Sequence, residues 1–238
     1  MLTEWSYLSS VATNDTEGMN GAETAQARSR LVEQLRERGH LYTSRVTKAM
    51  KTVPRHEFVP EAVRSRAYED ESLAIGHEQV VTAPHLVAQM TELLELTPGQ
   101  TVLEIGTGSG YHAAVVAEIV GPENVFTVER IPELARSARN ALVRTGYGAV
   151  TVVVADGSCG FPGRAVFDRI SVTAATSAVP TPLLEQLADD GRMVVPLGSR
   201  SGPQELLLVT KVGDRVEQWS YGGVMFVPLV GEHGFSNG

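Results

Sequence analysis

The chain has 238 residues, a formal net charge of −8, 42% hydrophobic residues and 20% charged ones. That suits one large α/β unit or two small ones, and the acidic balance argues against a broad electrostatic grip on nucleic acid. The single cysteine, Cys159, excludes an intrachain disulfide framework and a Cys-cluster zinc site, and it suits a reducing compartment. No apolar run reaches the roughly 18 residues of a membrane span. Met1 to Gln26 lacks the basic start and apolar core of a signal peptide. A cytoplasmic location without membrane contact is therefore expected.

In chain order, residues 1–26 are polar and read as a loose tail. Ala27 to Arg38 carries Leu31, Val32 and Leu35 on one face and stops at Gly39, which predicts a helix. Tyr42 to Thr52 predicts a second, ended by Pro54. Glu57 to Asp70 is mixed, with Pro60 as a helix start. Ala83 to Leu96 predicts a helix with Pro84 in its first turn, and Thr97 to Gln100 a turn. An alternation follows: strand 101–106, helix 110–120, strand 124–129, helix 132–145, strand 150–155, strand 167–173, helix 180–188 and strand 191–197. Alternation at these lengths predicts a parallel sheet covered on both faces. Glu205 to Val212 and Val216 to Val230 are strand-like and joined by Gly213-Asp214, a hairpin signal, so antiparallel strands are expected at one edge. One domain over 27–238 is expected, with a helical N-terminal cap and substrate loop over 27–96 and an α/β core over 97–238.

The most informative stretch is Val102-Leu-Glu-Ile-Gly-Thr-Gly-Ser-Gly-Tyr111. It reads as strand, glycine turn and helix, the opening unit of a doubly wound, Rossmann-like fold. A dinucleotide fingerprint needs glycine at 111, where this chain has tyrosine. The pattern Glu104-x-Gly106-x-Gly108-x-Gly110 instead resembles motif I of class I S-adenosylmethionine (SAM) methyltransferases. SAM has no pyrophosphate; its amino-acid end needs close backbone approach, which residues lacking a Cβ permit. Thr107 and Ser109 complete that loop. Val125-Phe-Thr-Val-Glu129 ends in a carboxylate about 20 residues beyond the glycine turn, where a ribose is met in such folds. An ionised carboxylate only accepts, and vicinal hydroxyls donate, so the match is chemical. Asp156-Gly157 ends the third strand and is placed to accept from an adenine amino group. Glu104 is expected to orient the loop amides or to meet the SAM amino group. Asp168 reads as structural. His56, His77 and His85 show no metal-ligand spacing and read as packing or loop residues, so no metal site is expected.

Longer segments narrow the reading. Val53-Pro-Arg-His-Glu-Phe-Val-Pro60, Gln79-Val-Val-Thr-Ala-Pro-His85, Phe167 to Ala175, Gly191 to Pro196 and Phe226-Val-Pro-Leu229 together resemble the protein-L-isoaspartate O-methyltransferase family, from about Arg28 to Phe235. The resemblance implies that Gln79, Val80 and Val81 lie over the methionine end of SAM. It also implies that Thr82 stands at the family's active-site position, where serine is usual. Val172, Thr173, Ala174 and His85 are assigned with Thr82 to the substrate side. Val80 replaces a usual threonine, and Ala155 the first glycine of the usual Gly-Asp-Gly. The cofactor side looks intact and the substrate edge altered. Thr82 could also use its hydroxyl simply to cap the helix expected to begin at Ala83, which is the competing reading.

A carboxylate acceptor is already ionised near neutral pH, so methyl transfer to it needs no general base, and no catalytic dyad is evident. Catalysis would rest on positioning and on exclusion of water. The ester formed is a good electrophile: a neighbouring backbone N–H can displace methanol, closing a succinimide that hydrolyses to Asp and isoAsp. Three functions remain open at this point: repair of isoaspartyl residues, as the resemblance implies; methylation of a normal Asp in a dedicated ribosomal precursor peptide; and SAM binding without turnover. The expected partner is a peptide or protein, met by a monomer.

Overall fold

The computed structural model describes residues 21–163, 166–213 and 215–236. Helix α1 spans Gly21–Glu37, so the helix begins before Ala27 and takes in residues 21–26; the rest of the expected tail lies outside the described residues. Leu31, Val32 and Leu35 are buried as the spacing predicts. Helix α2, Ser44–Thr52, starts two residues later than Tyr42 because Thr43 caps it, its hydroxyl accepting from Val46 N. Two short 3-10 turns, Arg55–Phe58 and Glu61–Arg66, fill the mixed stretch. Arg55 is fully buried with its guanidinium 4.8 Å from the centre of the Tyr111 ring, which ties this cap to the core.

A two-stranded hairpin that the sequence pattern does not predict then follows, β1 (Leu73–Gly76) and β2 (Gln79–Val81). Its two central residues, His77 and Glu78, have φ of 52° and 58°. That is the backbone of a tight turn that usually signals itself with Asn or Gly; neither is present, so the signal is absent. Helix α3 covers Pro84–Leu93, three residues shorter than expected at its C-terminal end.

The main sheet has seven strands in the order β5-β4-β3-β6-β7-β8-β9. These are β3 (Val102–Ile105), β4 (Val125–Glu129), β5 (Thr151–Val154), β6 (Phe167–Val172), β7 (Leu187–Gly198), β8 (Gln204–Val212) and β9 (Arg215–Val224). The first five in that spatial order up to β7 pair in parallel, and β7-β8-β9 pair antiparallel, as the sequence pattern predicts. Helix α4 (Tyr111–Val120) and helix α5 (Pro132–Arg144) join the parallel strands. Asp214, part of the expected hairpin signal, lies outside the described residues; Val212 pairs with Arg215. Two expectations need correction. The predicted helix 180–188 is only Thr181–Glu185, which we label α6, because β7 begins already at Leu187. The strand expected to run from 216 to 230 ends at Val224; the chain then crosses back so that Pro228 bridges Ala175 beyond the end of β6.

All four residues of β3 are buried, as befits a central parallel strand. Alternation divides them: Val102 packs with α1 to α4, while Leu103 and Ile105 pack with Phe167, Ile170 and Met193. Glu104 therefore points to the α4 side. Asp168 does the structural work expected of it, accepting from Thr101 N at 2.7 Å and Thr101 Oγ1 at 2.8 Å. Among the described residues no helix is long and apolar enough to cross a membrane. The strand order reverses between β3 and β6, and in such sheets the crevice beyond the carboxyl ends at that point receives ligands.

Candidate active site

A cleft of about 350 Å³ opens at this point. Its floor is the β3 turn: Glu104, Ile105, Gly106, Thr107, Gly108 and Ser109. Glu129 and Ile131 form one wall, Thr173 and Ala174 another, and the hairpin roofs it with Gln79, Val80, Val81 and Thr82. Residues far apart in the chain, Thr82 and Thr173 among them, thus converge as the sequence reading proposed. Gly110, Val172, His85 and Asp156 do not line it.

The glycines divide their roles. Gly106 has φ +95°, and a Cβ there would sit 2.4 Å from Thr173 Oγ1, which donates to the Gly106 carbonyl at 2.7 Å. This hydroxyl, expected on the substrate side, is committed to clamping the turn to β6. Gly108 has φ +52°, but the nearest atom to an added Cβ is Ile75 Cδ1 at 3.6 Å, so its missing side chain leaves room on the hairpin side. Gly110, φ +86°, packs against Ala138 and Leu142 and serves as the N-cap of α4.

Glu129 is nearly buried. Its Oε2 accepts from Gly108 N and its Oε1 from Ile131 N, both at 2.9 Å. Each oxygen keeps a second lone pair for a donor in the cleft. Glu104 is buried too. Oε2 accepts from Thr127 Oγ1 at 2.6 Å, while Oε1 has no hydrogen-bond partner and faces His112 Nδ1 at 3.5 Å. Burial pushes the Glu104 carboxyl up to about 8, and burial pushes His112 down to about 4. The two therefore do not form an ion pair at neutral pH despite their proximity. His112 was not anticipated, yet it has a signal: it is a polar residue in an otherwise apolar helix, Tyr-His-Ala-Ala-Val-Val-Ala, that is buried almost all round.

Three expected residues find other partners. Asp156 Oδ1 accepts from Ser158 N at 2.9 Å and Ser158 Oγ at 2.7 Å, and Oδ2 from Glu232 N at 2.7 Å. It pins the C-terminal segment beside the cleft, and of the expected Asp156-Gly157 pair only Gly157 lines the cavity. His85 accepts a role in packing: its backbone N and Nδ1 both lie 2.9 Å from Asp70 Oδ1, and its ring sits 5.4 Å from that of His40. Val172 is fully buried inside β6. Arg200, from the β7–β8 connection, lines the cleft and was missed, because nothing in a loop's composition says which way it folds back. Outside the cleft, Cys159, Glu232 and His233 bring groups of metal-ligand type within 4.8 Å of one another, a cluster made by tertiary folding that residue spacing does not reveal.

Thr82 decides between two readings. The N-cap of α3 is Ala83, and no side chain caps that helix. Thr82 lines the cleft.

Known proteins share this arrangement. The family model described as protein-L-isoaspartate(D-aspartate) O-methyltransferase matches residues 26–234. The chain belongs to this family. A relative from Methanopyrus kandleri, named protein-L-isoaspartate O-methyltransferase, is 56% identical over 213 residues, covering 88% of this chain and 94% of its own. One of the same name from Hyperthermus butylicus is 50% identical over 220 residues, covering 88% and 91%. A solved protein-L-isoaspartate O-methyltransferase superposes with a TM-score of 0.77 at 30% identity, over 87% of this chain and 67% of that one. A Plasmodium falciparum structure in complex with S-adenosyl-L-homocysteine gives 0.75 over 85% and 98%; at 24% identity that likeness speaks for the fold alone.

Proposed function

We propose that this protein is a SAM-dependent methyltransferase that esterifies the side-chain carboxylate of isoaspartyl residues in peptides and proteins, the first step of their repair. The observation that carries this is the union of family membership with a cleft whose polar groups match the cofactor one by one. The free lone pairs of Glu129 suit two ribose hydroxyls. The orphaned Oε1 of Glu104 suits the ammonium of the methionine end. The open space beside Gly108 suits the close approach of that moiety to backbone. Gly157 is left to face the adenine, with Asp156 acting on it through the backbone turn that it caps.

SAM supplies a methyl on a sulfonium, which a carboxylate takes without a general base. The protein's part is then positional. Thr82 Oγ1 holds one oxygen of the acceptor carboxylate and leaves the other to attack. The hairpin roof excludes water, and Val80, 41% exposed, presents an apolar rim to the incoming peptide. We further propose that 27–96 acts as cap and substrate loop on the 97–238 core and that the enzyme works as a monomer.

The product should be a base-labile ester. Label transferred from methyl-labelled SAM to an isoaspartyl peptide should leave as methanol in mild alkali; label that survives belongs to a methylated nitrogen and refutes the carboxylate reading.

Thr82→Val is nearly isosteric and removes the donor. Loss of one donor in a water-excluded site costs about 2.7–4 kcal/mol in a well-studied oxyanion case; a carboxylate also held by other groups loses less, so kcat should fall about 10- to 100-fold. Because Thr82 caps no helix, the melting temperature should stay within a degree or so. A drop in melting temperature with a normal rate per molecule would return Thr82 to a structural role.

A further inference from the structure

We propose that the cofactor-free site stores a proton between Glu104 and His112, that capture of the cofactor's ammonium expels it, and that His112 is the positioning residue which holds Glu104 ready for that exchange. The inference rests on the reading of the cleft as a SAM site and adds to it a proton count and a role for His112.

The hydrogen-bond bookkeeping leaves little freedom. Thr91 Oγ1 lies 2.6 Å from the Val87 carbonyl, so its single hydrogen goes there. His112 Nε2 lies 3.2 Å from the same Thr91 Oγ1, so the imidazole must be the donor in that contact. With burial holding the imidazole neutral, Nδ1 carries no hydrogen. Its lone pair faces Glu104 Oε1 at 3.5 Å. On the far side Thr127 Oγ1 spends its hydrogen on Glu104 Oε2, and Thr107 Oγ1, 2.6 Å from Thr127 Oγ1, donates in turn. The hydrogens of Thr91, Thr127 and Thr107 are thus assigned, and none of them reaches Oε1. Two lone pairs would confront each other in a dry site, which is costly. A hydrogen on Oε1 resolves it by donating to Nδ1.

The surroundings favour that protonated form. Burial raises the Glu104 carboxyl, the Thr127 hydrogen bond opposes this, and the like charge of Glu129 on β4 raises it further, to about 8. The neighbour of Glu104 across on β6 is Ser171 and the α3 residue that meets His112 is Thr91, hydroxyls that bring no charge. When an ammonium arrives, the Glu104 O–H bond breaks and its proton leaves to the buffer. The ammonium keeps its three hydrogens and donates one of them to Oε1. Charge balances: an acid and a cation give an ion pair and a released proton. The same carboxyl weakens the free protein. Its unfolded value is 4.5 and its folded value about 8, so the unfolded chain gains by ionising first and stability is lost as pH rises across that window.

The test is calorimetry of S-adenosylhomocysteine binding in two buffers of different ionisation enthalpy, at about pH 6.5 and about pH 9, on either side of the Glu104 transition. At the lower pH the ligand's own amino group is protonated, since such groups titrate near roughly 8 or above. The wild-type protein should release about one proton per ligand there; at the higher pH, where Glu104 is already ionised, the release should vanish and any exchange should be uptake by the ligand's own amino group. Glu104→Gln should abolish the release. In His112→Gln the amide can donate to Oε1, ionising Glu104 beforehand, so release should fall well below half a proton while the ligand still binds. A purely structural His112 would change the melting temperature and leave the count alone. Ligand binding without proton release in the wild type, or the same count in His112→Gln, overturns the inference and leaves the methyltransferase reading standing. No binding at all overturns both.

Discussion

Replacing Glu129 with alanine is expected to weaken SAM binding at least tenfold and, with both ribose contacts gone, about a hundredfold. The carboxylate sits where β4 ends, and it does two jobs at once. It accepts from the backbone of Gly108 and Ile131, which sets the shape of the glycine turn. In the proposed role its remaining lone pairs accept from the ribose. Charge-assisted hydrogen bonds are worth about 1.5–3 kcal/mol each, and contributions within one network do not add fully, so a total of about 3 kcal/mol is reasonable. That is about two decades in affinity. Calorimetry with S-adenosylhomocysteine measures it, and a circular dichroism melt shows that the fold survives. Affinity within twofold of wild type would remove Glu129 from the site. Glu129→Gln, which keeps one acceptor oxygen, should fall between the two.

Gly108→Val should abolish detectable cofactor binding and leave a folded protein. The space for the side chain exists: beyond Ile75 Cδ1 at 3.6 Å nothing in the protein lies within 4 Å of the added Cβ, so the side chain enters the cleft itself. The backbone cost is the left-handed φ of +52°, about 1–2 kcal/mol for a residue with a Cβ, and a domain stable by about 5–15 kcal/mol tolerates it. Gly106→Ala provides the contrast. Its Cβ meets the Thr173 hydroxyl at 2.4 Å, so that change should damage the junction of β3 and β6 and lower the melting temperature. If Gly108→Val binds the cofactor product normally, the glycine turn is not the cofactor loop.

Much of this was legible in the sequence for a simple reason: strand-end residues are placed by chain order. Once Val102 to Ile105 is a strand followed by a glycine turn, Glu129 at the end of the next strand is carried to the same edge of a parallel sheet. Element types followed from periodicity, and antiparallel strands at the edge from a two-residue turn. What escaped depends on local backbone or distant folding. The β1–β2 hairpin turns on His77 and Glu78, ordinary residues in a left-handed conformation that composition does not signal. Asp156 looked like an adenine acceptor because it ends a strand, but the C-terminal segment, arriving from over 70 residues away, uses Oδ2 for its own backbone. Burial works against that carboxylate, and the hydrogen bonds from Glu232 and Ser158 more than offset it, holding it below its usual value. Thr173, expected on the substrate side, lines the cleft, and its clamp on Gly106 is a tertiary contact that the sequence does not announce. His112 was visible as one polar residue in an apolar helix, and its meaning emerged only when α4 was laid over the Glu104 face of β3.

The substrate edge carries the central claim. Thr82 and Val80 differ from the residues usual at those positions in the family, and both face the same opening. The direct measurement is mass spectrometry of a peptide containing isoAsp and of its twin containing normal Asp, each incubated with the enzyme and SAM. A mass gain of one methyl group on the isoAsp peptide, followed by loss of methanol to the succinimide, with the Asp twin unchanged, is the predicted result. Methylation of the Asp twin with the isoAsp peptide untouched would contradict it.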